Sequence, residues 1–338
     1  MTSGTRESGV TPGRPERARS ADPIDRVGAA IEAGRQGSPH VVSVVINYRG
    51  LVQTVPCIES LLAVAYDNHT IVVVDNASPG GDAEAIRETF GDRIEVIAGE
   101  QNLGYGGGAN LGLRRALELG AEYAWVLNND TIISPEAPGI LVEAMEADQN
   151  LGCVTPQISA PIGPEAPAGV WFSGGTVRLS RGNTRHSNVS LAEGAGVVPT
   201  GYVAGCAMFL RCAALENVGL FWEPLFLFWE DADLSLRLHR AGWGLGVVAK
   251  AWIRHDVHGS ISSPLIDYYY FRNAVLTARR HGHGAATLTA FMWLSGRIWR
   301  LWAGALLRRR PAPTAAARGL LSGAVLAIRR PAMAADRR

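Results

Sequence analysis

From Val41 onward the chain alternates short β-branched runs with segments whose apolar residues recur at helical spacing. Val41 to Ile46, Ile71 to Val74, Ile94 to Ala98 and Tyr123 to Leu127 read as strands, and Val52 to Ala63, Ala83 to Phe90 and Ala109 to Leu119 as helices. Strands separated by helices join through right-handed crossovers, so this half predicts an α/β fold with a mostly parallel central sheet covered by helices. Ligands of such sheets sit beyond the carboxyl ends of the strands. The polar residues at those ends are Asn47, Asp75 and the run Asn128-Asn129-Asp130.

Beyond Pro156 the alternation gives way to Gly- and Pro-rich stretches at 160–182 and 194–205, which predict a mixed, less regularly wound half. Helical spacing returns at Asp231 to Ala241, where Leu234, Leu238 and Ala241 recur at i, i+4 and i+7 and Gly242 supplies a stop. A helical tail follows, with Tyr268 to His281 and Thr287 to Leu307 as its segments. Met1 to about Gly37 is rich in Gly, Pro, Ser, Arg and Glu and has no apolar h-region. It reads as a flexible tail and not a secretory signal, which places the catalytic part in the cytoplasm. The expected organisation is a tail over 1–38, a catalytic domain over 39–284 and a helical region over 285–338.

Composition narrows the partners. With 338 residues and 47% of them hydrophobic, the chain has material for an enzyme-sized core. Lys+Arg 32 against Asp+Glu 31 leaves no overall pull on nucleic acid, which is not an expected partner. Cys57, Cys153, Cys206 and Cys212 lie mostly in apolar runs without paired-ligand spacing, and so read as buried thiols. Ala285 to Leu307 is apolar and Trp-rich but carries Arg297 and Arg300 near its middle. Each costs about 2.5 to 3.5 kcal/mol at a bilayer centre, which argues against a span. Two alternatives stay open: an interfacial helix with Trp293, Trp299 and Trp302 at headgroup depth and Arg308, Arg309 and Arg310 on anionic lipid, or a helix packed back on the domain.

Several segments carry candidate chemistry. Asp75, straight after a buried strand, can accept hydrogen bonds from a base imide or a ribose hydroxyl, or cap the following turn. Asp130 can hold one hard divalent cation, Mg²⁺ or Mn²⁺, which neutralises a diphosphate; a polar turn is the plainer alternative. Asn102 to Asn110 is a glycine run opening a helix, where backbone amides can approach an anion. It does not follow the first strand, and the strand after it ends in Asn128 rather than an acid, which disfavours a dinucleotide fingerprint. In Phe226 to Leu238, Glu230, Asp231 and Asp233 crowd a helix start behind aromatic residues. An ionised carboxylate there suits a general base acting on a sugar hydroxyl, and acids also occur at helix starts for structural reasons. His255 can supply a neutral imidazole to the same metal or serve as a hydrogen-bonded structural residue. Arg272 can bring a cation to a diphosphate or sit over neighbouring rings.

The order and spacing of these segments resemble the family-two inverting glycosyltransferases of GT-A fold, in particular the bacterial rhamnosyltransferase-like branch. Val72 to Ser78 resembles the family's strand-Asp-Asn-Ala-Ser segment, Asn102 to Asn110 its Asn-x-Gly-aromatic-glycine run, and Leu127 to Thr131 its modified Asp-x-Asp motif. Tyr202 to Arg211 is similar to its Gly-apolar-Arg strand, Trp229 to Leu238 to its Glu-Asp-x-Asp-Leu helix start, His255 to its downstream histidine and Arg272-Asn273 to its Arg-Asn pair. The likeness covers about residues 41 to 281. It implies that Asp75 contacts the donor nucleotide, Asp130 binds the metal, Asp231 is the base and His255 helps at the diphosphate. The candidate donor-binding set is Asn47, Tyr48, Asp75, Asn102, Gly104, Asn129 and Arg272. The implied donor is a nucleotide sugar, dTDP-rhamnose, and the implied acceptor a lipid-linked or cell-envelope glycan. Tyr48 is followed by Arg49 where the family has Asn, the metal motif keeps a single acid, and the Gln-x-x-Arg-Trp motif of processive synthases is absent. A non-catalytic nucleotide-sugar-binding protein and a nicotinamide-dependent oxidoreductase are the rival readings.

Overall fold

The structure, a computed structural model, describes Met1 and residues 37–161, 168–256, 263–307 and 312–329. Nearly all of the expected tail over 1–38, and Arg308, Arg309 and Arg310, lie outside the described residues. The chain divides into the units Met1–Ser38 and Pro39–Arg338, and the second holds every element that follows.

In chain order these are β1 (Val41–Asn47), α1 (Leu51–Leu62), β2 (His69–Asp75), α2 (Asp82–Phe90), β3 (Glu95–Ala98), α3 (Gly104–Glu118) and β4 (Tyr123–Asn128). Next come β5 (Thr131–Ile133), α4 (Ala137–Ala147), β6 (Leu151–Pro161), β7 (Ala168–Phe172), β8 (Gly175–Arg178), β9 (Asn183–His186), β10 (Val197–Pro199) and β11 (Ala207–Arg211). The last are α5 (Cys212–Val218), α6 (Glu230–Arg240), β12 (Gly244–His255), α7 (Ser263–Leu307) and α8 (Thr314–Arg329).

The main sheet runs β10-β12-β6-β11-β4-β1-β2-β3, with β5 on β12 and β7 on β6, while β8 and β9 form a separate hairpin. The half read as alternating is parallel throughout, β4-β1-β2-β3. Beyond it β11 runs antiparallel between β4 and β6, so the second half is mixed, as the loss of alternation implied. Every residue of β1 is buried. Val41, Val45, Val73 and Leu127 face one core, and Val42, Val44, Val72 and Val126 face the other. This two-sided burial explains the unbroken apolar runs of the sequence.

Two helices differ from expectation. α3 begins at Gly104 rather than Ala109, so the glycine run lies inside the helix. Gly104 has φ +74, and a side chain there would strike the Phe226 carbonyl, so close approach and not chain flexibility demands glycine. The two tail segments are one helix, α7, continuous through Gly282 and Gly284. Local propensity favours a break at those glycines, but Asp233 of α6 holds this turn through Arg280 Nε (3.0 Å) and His281 Nε2 (2.7 Å), and tertiary contact overrides propensity. All four cysteines are free and buried.

Candidate active site

The carboxyl ends of β1, β2 and β4 converge on one buried polar knot. Asn47 is fully buried, and its Nδ2 donates to Asp75 Oδ1 (2.8 Å) and Asp82 Oδ2 (3.0 Å). Its Oδ1 accepts from Gly50 N (3.2 Å), Thr54 Oγ1 (2.9 Å) and Asn129 Nδ2 (3.3 Å). Asn129 also donates to the Gly50 carbonyl and to Thr54 Oγ1. The amide of Asn47 is therefore spent within the protein, and it fixes where Asp75 stands. Asp75 Oδ2 accepts from Ser78 N (3.1 Å), the turn that capping predicts. Tyr48, next to this knot, is exposed, with the Arg49 guanidinium 5.2 Å from its ring centre.

A second knot surrounds the glycine run. Asn76 donates to Asn102 Oδ1 (3.2 Å) and the Gly104 carbonyl (2.9 Å) and accepts from Leu103 N (3.0 Å). The first helix amides of α3 are already taken: Gly104 N donates to Asn102 Oδ1 (2.8 Å) and Tyr105 N to the Phe226 carbonyl (2.7 Å). The run thus clamps the loop before α6, where the sequence suggested an anion cradle.

At the next strand end, pairing of β5 with β12 sets His255 opposite Thr131, and His255 Nε2 lies 3.0 Å from Asp130 Oδ1. Asn128 Nδ2 is 3.3 Å from the same nitrogen. Burial acts to lower the His255 pKa, but Cys206 and Asp130 beside it hold it up at about 10. Among the described residues no group of three or more His, Cys, Asp or Glu gathers as a closed metal site. A cation here would have to displace the proton that His255 keeps beside Asp130; the neutral imidazole and one carboxylate would then leave diphosphate oxygens and water as its other ligands, the arrangement Mg²⁺ commonly takes.

The base candidate lies at the start of α6. Asp231 Oδ2 accepts from Tyr202 Oη (2.6 Å) and Gly205 N (2.9 Å), and Oδ1 accepts from Ala232 N (2.7 Å). Burial raises the Asp231 pKa, with these three donors working against it. Glu230 has less help: its Oε2 is buried without a hydrogen bond, and burial together with the Asp231 charge outweighs a backbone hydrogen bond and raises its pKa to about 8. Asp233 serves elsewhere. Burial would raise it, yet His281, Arg237 and Arg280 hold it below the ordinary carboxylate value. Of the three acids crowding this helix start, Asp231 is the one whose two oxygens are both held by neutral hydrogen-bond donors.

The backbone entering α6 is strained: Phe226, Phe228 and Trp229 have φ of 65, 64 and 75. Asn273 Nδ2 donates to the Leu225, Leu227 and Phe228 carbonyls (2.7, 2.8 and 3.0 Å), holding that path. Arg272 braces the same loop through the Pro224 carbonyl (2.9 Å) and lies over the Tyr269 ring (5.5 Å). It lines a cavity of about 410 Å³ with Glu223, Phe226, Tyr268 and Tyr269, whose walls include none of Asp75, Asp130, Asp231 or His255.

The turn at Gly205-Cys206 joins the metal and base ends. Gly205 N holds Asp231, while Cys206 lies beside His255, and its carbonyl accepts from Asn128 N (3.1 Å). Tyr105 Oη donates to the Gly205 carbonyl (2.7 Å). Its pKa stands well above the ordinary value, first through burial and then through Cys206, Glu230, Asp231 and Asp130, so acids from both ends surround one hydroxyl. An aromatic arc spans the same interval. Trp171 meets His255 and His186 edge to face (5.2 and 5.0 Å), and His186 stacks on Tyr202 (5.7 Å), whose hydroxyl reaches Asp231. Trp171 and His186 escaped the sequence reading because their segment has neither periodicity nor a motif. Tyr202 was visible only as part of a strand.

Comparisons with known proteins identify the family and the fold. The sequence model of Glycosyl transferase family 2 matches residues 43–215, just over half of the chain, and the chain belongs to that family. It is accordingly an enzyme of the glycosyltransferase class. N-acetylglucosaminyl-diphospho-decaprenol L-rhamnosyltransferase of Mycobacterium tuberculosis is 24% identical over 221 residues, covering 58% of this chain and 69% of the relative. The structure of GalNAc-T7 with UDP, GalNAc and Mn²⁺ superposes with a TM-score of 0.61 at 13% identity, over 78% of this chain and 51% of that one. This chain thus spans about half the length of that structure. A mannosyltransferase of Pyrobaculum calidifontis, in complex with GDP-Man and Mn²⁺, has a TM-score of 0.52 at 17% identity, covering 87% of this chain and 88% of that one. The fold is that of the GT-A glycosyltransferases, with a helical C-terminal region.

Proposed function

We propose that this enzyme transfers a single sugar, with inversion, from a nucleoside-diphosphate sugar to a hydroxyl of a lipid-linked or cell-envelope glycan. The observation that carries the reading is the Gly205-Cys206 turn, whose Gly205 N donates to Asp231 and whose Cys206 carbonyl accepts from Asn128, two residues before Asp130. Asp231 accepts the proton of the attacking acceptor hydroxyl. Its raised pKa brings its basicity toward working pH, and Tyr202, Gly205 and Ala232 fix its direction. Asp75, with Tyr48, Asn102 and Gly104 near it, receives the nucleotide; Asn47 and Asn129 position Asp75 and the turn before Asp130. Arg272 acts on the donor side through the loop it braces.

Asp130 and His255 are the residues that would hold a divalent cation, Mg²⁺ or Mn²⁺, whose charge stabilises the departing diphosphate. Two of the similar solved structures contain Mn²⁺, which supports this assignment. A single base acting on the acceptor hydroxyl fits one displacement at the anomeric carbon, with the sugar carrying oxocarbenium character. We assign the donor as dTDP-rhamnose, supported by the rhamnosyltransferase relative, and the site of action as the cytoplasm at the inner face of a membrane. Nucleoside-diphosphate release from a panel of nucleotide sugars, with and without Mg²⁺ or Mn²⁺, tests this. Cation-stimulated turnover with dTDP-rhamnose is expected; tight nicotinamide binding and indifference to cations would sink it.

A further inference from the structure

α7 and α8 bury one side of themselves and turn an apolar row to solvent. On α7, Leu288, Met292, Trp299, Trp302 and Leu306 fall near one line at about 100° per residue, and Met292, Trp299 and Leu306 are 63, 75 and 83% exposed. On α8, Leu321, Val325 and Ile328 repeat at i, i+4 and i+7 and are also exposed. The opposite faces are committed: Ala290, Leu294 and Ile298 of α7 and Ala316, Leu320 and Ala327 of α8 are buried. Arg297, which argues against a span in the sequence, lies on the committed side, over the Tyr270 and Phe271 rings (5.6 and 5.4 Å). Arg300 and Arg181 both lie over Trp293 (5.5 and 5.3 Å) at the border of the exposed row.

Charge selects the occupant. Residues 285–335 contain eight arginines and no Asp, Glu or Lys, in a chain whose net charge is +1. A second copy of this face would meet it with like charge, which disfavours self-association. Nucleic acid matches the charge but offers no apolar interior for Trp299 or Leu306. An anionic bilayer offers both, and Trp and Arg are the residues that settle at its interface. Among the described residues no helix is long and apolar enough to cross a membrane, so the fit is to a surface.

We propose that the exposed rows of α7 and α8 are a docking surface for anionic lipid, with α7 lying along the interface. The turn between β8 and β9 rests on this helix, since a side chain at Gly182 would press on Leu294 and Ala274. β9 ends at His186, next to Tyr202 and Asp231. Docking therefore brings the base end of the cleft to the bilayer, a consequence that rests on the proposed transfer reaction; the docking itself does not.

The test uses the full chain, lipid vesicles and no nucleotide sugar, so its outcome is independent of catalysis. Phosphatidylcholine vesicles with about 30 mol% phosphatidylglycerol should pellet the protein, pure phosphatidylcholine should not, and high salt should release it. Trp299→Ala with Leu306→Ala should weaken partitioning about tenfold or more, with thermal unfolding unchanged because both side chains face solvent. Failure to bind anionic vesicles, equal binding to neutral ones, or undiminished binding by the double variant overturns the proposal. So does a lipid-free dimer that the same variant dissociates, which would assign the face to a second copy.

Discussion

Tyr202 and Glu230 show how single residues tune this cleft. The Tyr202 hydroxyl, 2.6 Å from Asp231, stabilises the carboxylate form of the base. Tyr202→Phe removes that bond, raises the Asp231 pKa further, and should move the acidic limb of the kcat/KM profile to higher pH. A limb that stays in place would detach Tyr202 from the base. Glu230 keeps its proton to about pH 8 in the folded chain, against an ordinary value of 4.5. The unfolded chain loses that proton earlier, so folding stability falls as pH rises from about 4.5 to about 8. Glu230→Gln should flatten this dependence and gain up to a few kcal/mol at pH 8, read by urea unfolding across pH. Equal slopes for parent and variant would show that Glu230 is not held protonated.

At the scale of elements, the loop before α6 is held from two sides. Tyr105 N of α3 donates to the Phe226 carbonyl, against which Gly104 packs, and Asn273 of α7 takes three more. Three carbonyl acceptors within four residues on one amide explain why a positive-φ path survives next to Asp231. Asn273→Ala should cost about 2 to 4 kcal/mol in unfolding free energy. It should also lower kcat in the surviving folded protein, since the helix bearing Asp231 loses its fixed start. A variant with parental stability and kcat would mean the loop holds itself.

This region also marks what the sequence could convey. Asp75, Asp130 and Asp231 were legible because each follows a strand or opens a helix, positions that topology reserves for ligands. The roles of Asn47, Gly104 and Arg272 were harder, since a residue that touches a ligand and one that braces a neighbour have the same local pattern. Only the partners in space separate them: Asn47 with its amide spent on five neighbouring groups, Gly104 against Phe226. Trp171 and His186 come from irregular segments joined to the site by long-range pairing, for which the chain carries no periodic signal.

Over the whole molecule, the proposed reaction draws its donor side from the parallel half of the sheet and its base from the mixed half, with β11 and the turn before it as the seam. Asp130 follows β4 and precedes β5, which pairs with β12, so it stands where the two halves of one sheet join, while Asp231 opens α6 of the mixed half. The central claim is a division of labour between those halves. Donor affinity, by calorimetry with Mn²⁺ present, should be compared with single-turnover transfer for Asp231→Asn. The expected result is donor binding within about threefold of the parent and transfer slowed by about 10² to 10⁴. Transfer at the parental rate with Asn at 231 would contradict the account, because the proton would then leave by another group and the meeting of the two acids would have no chemical meaning.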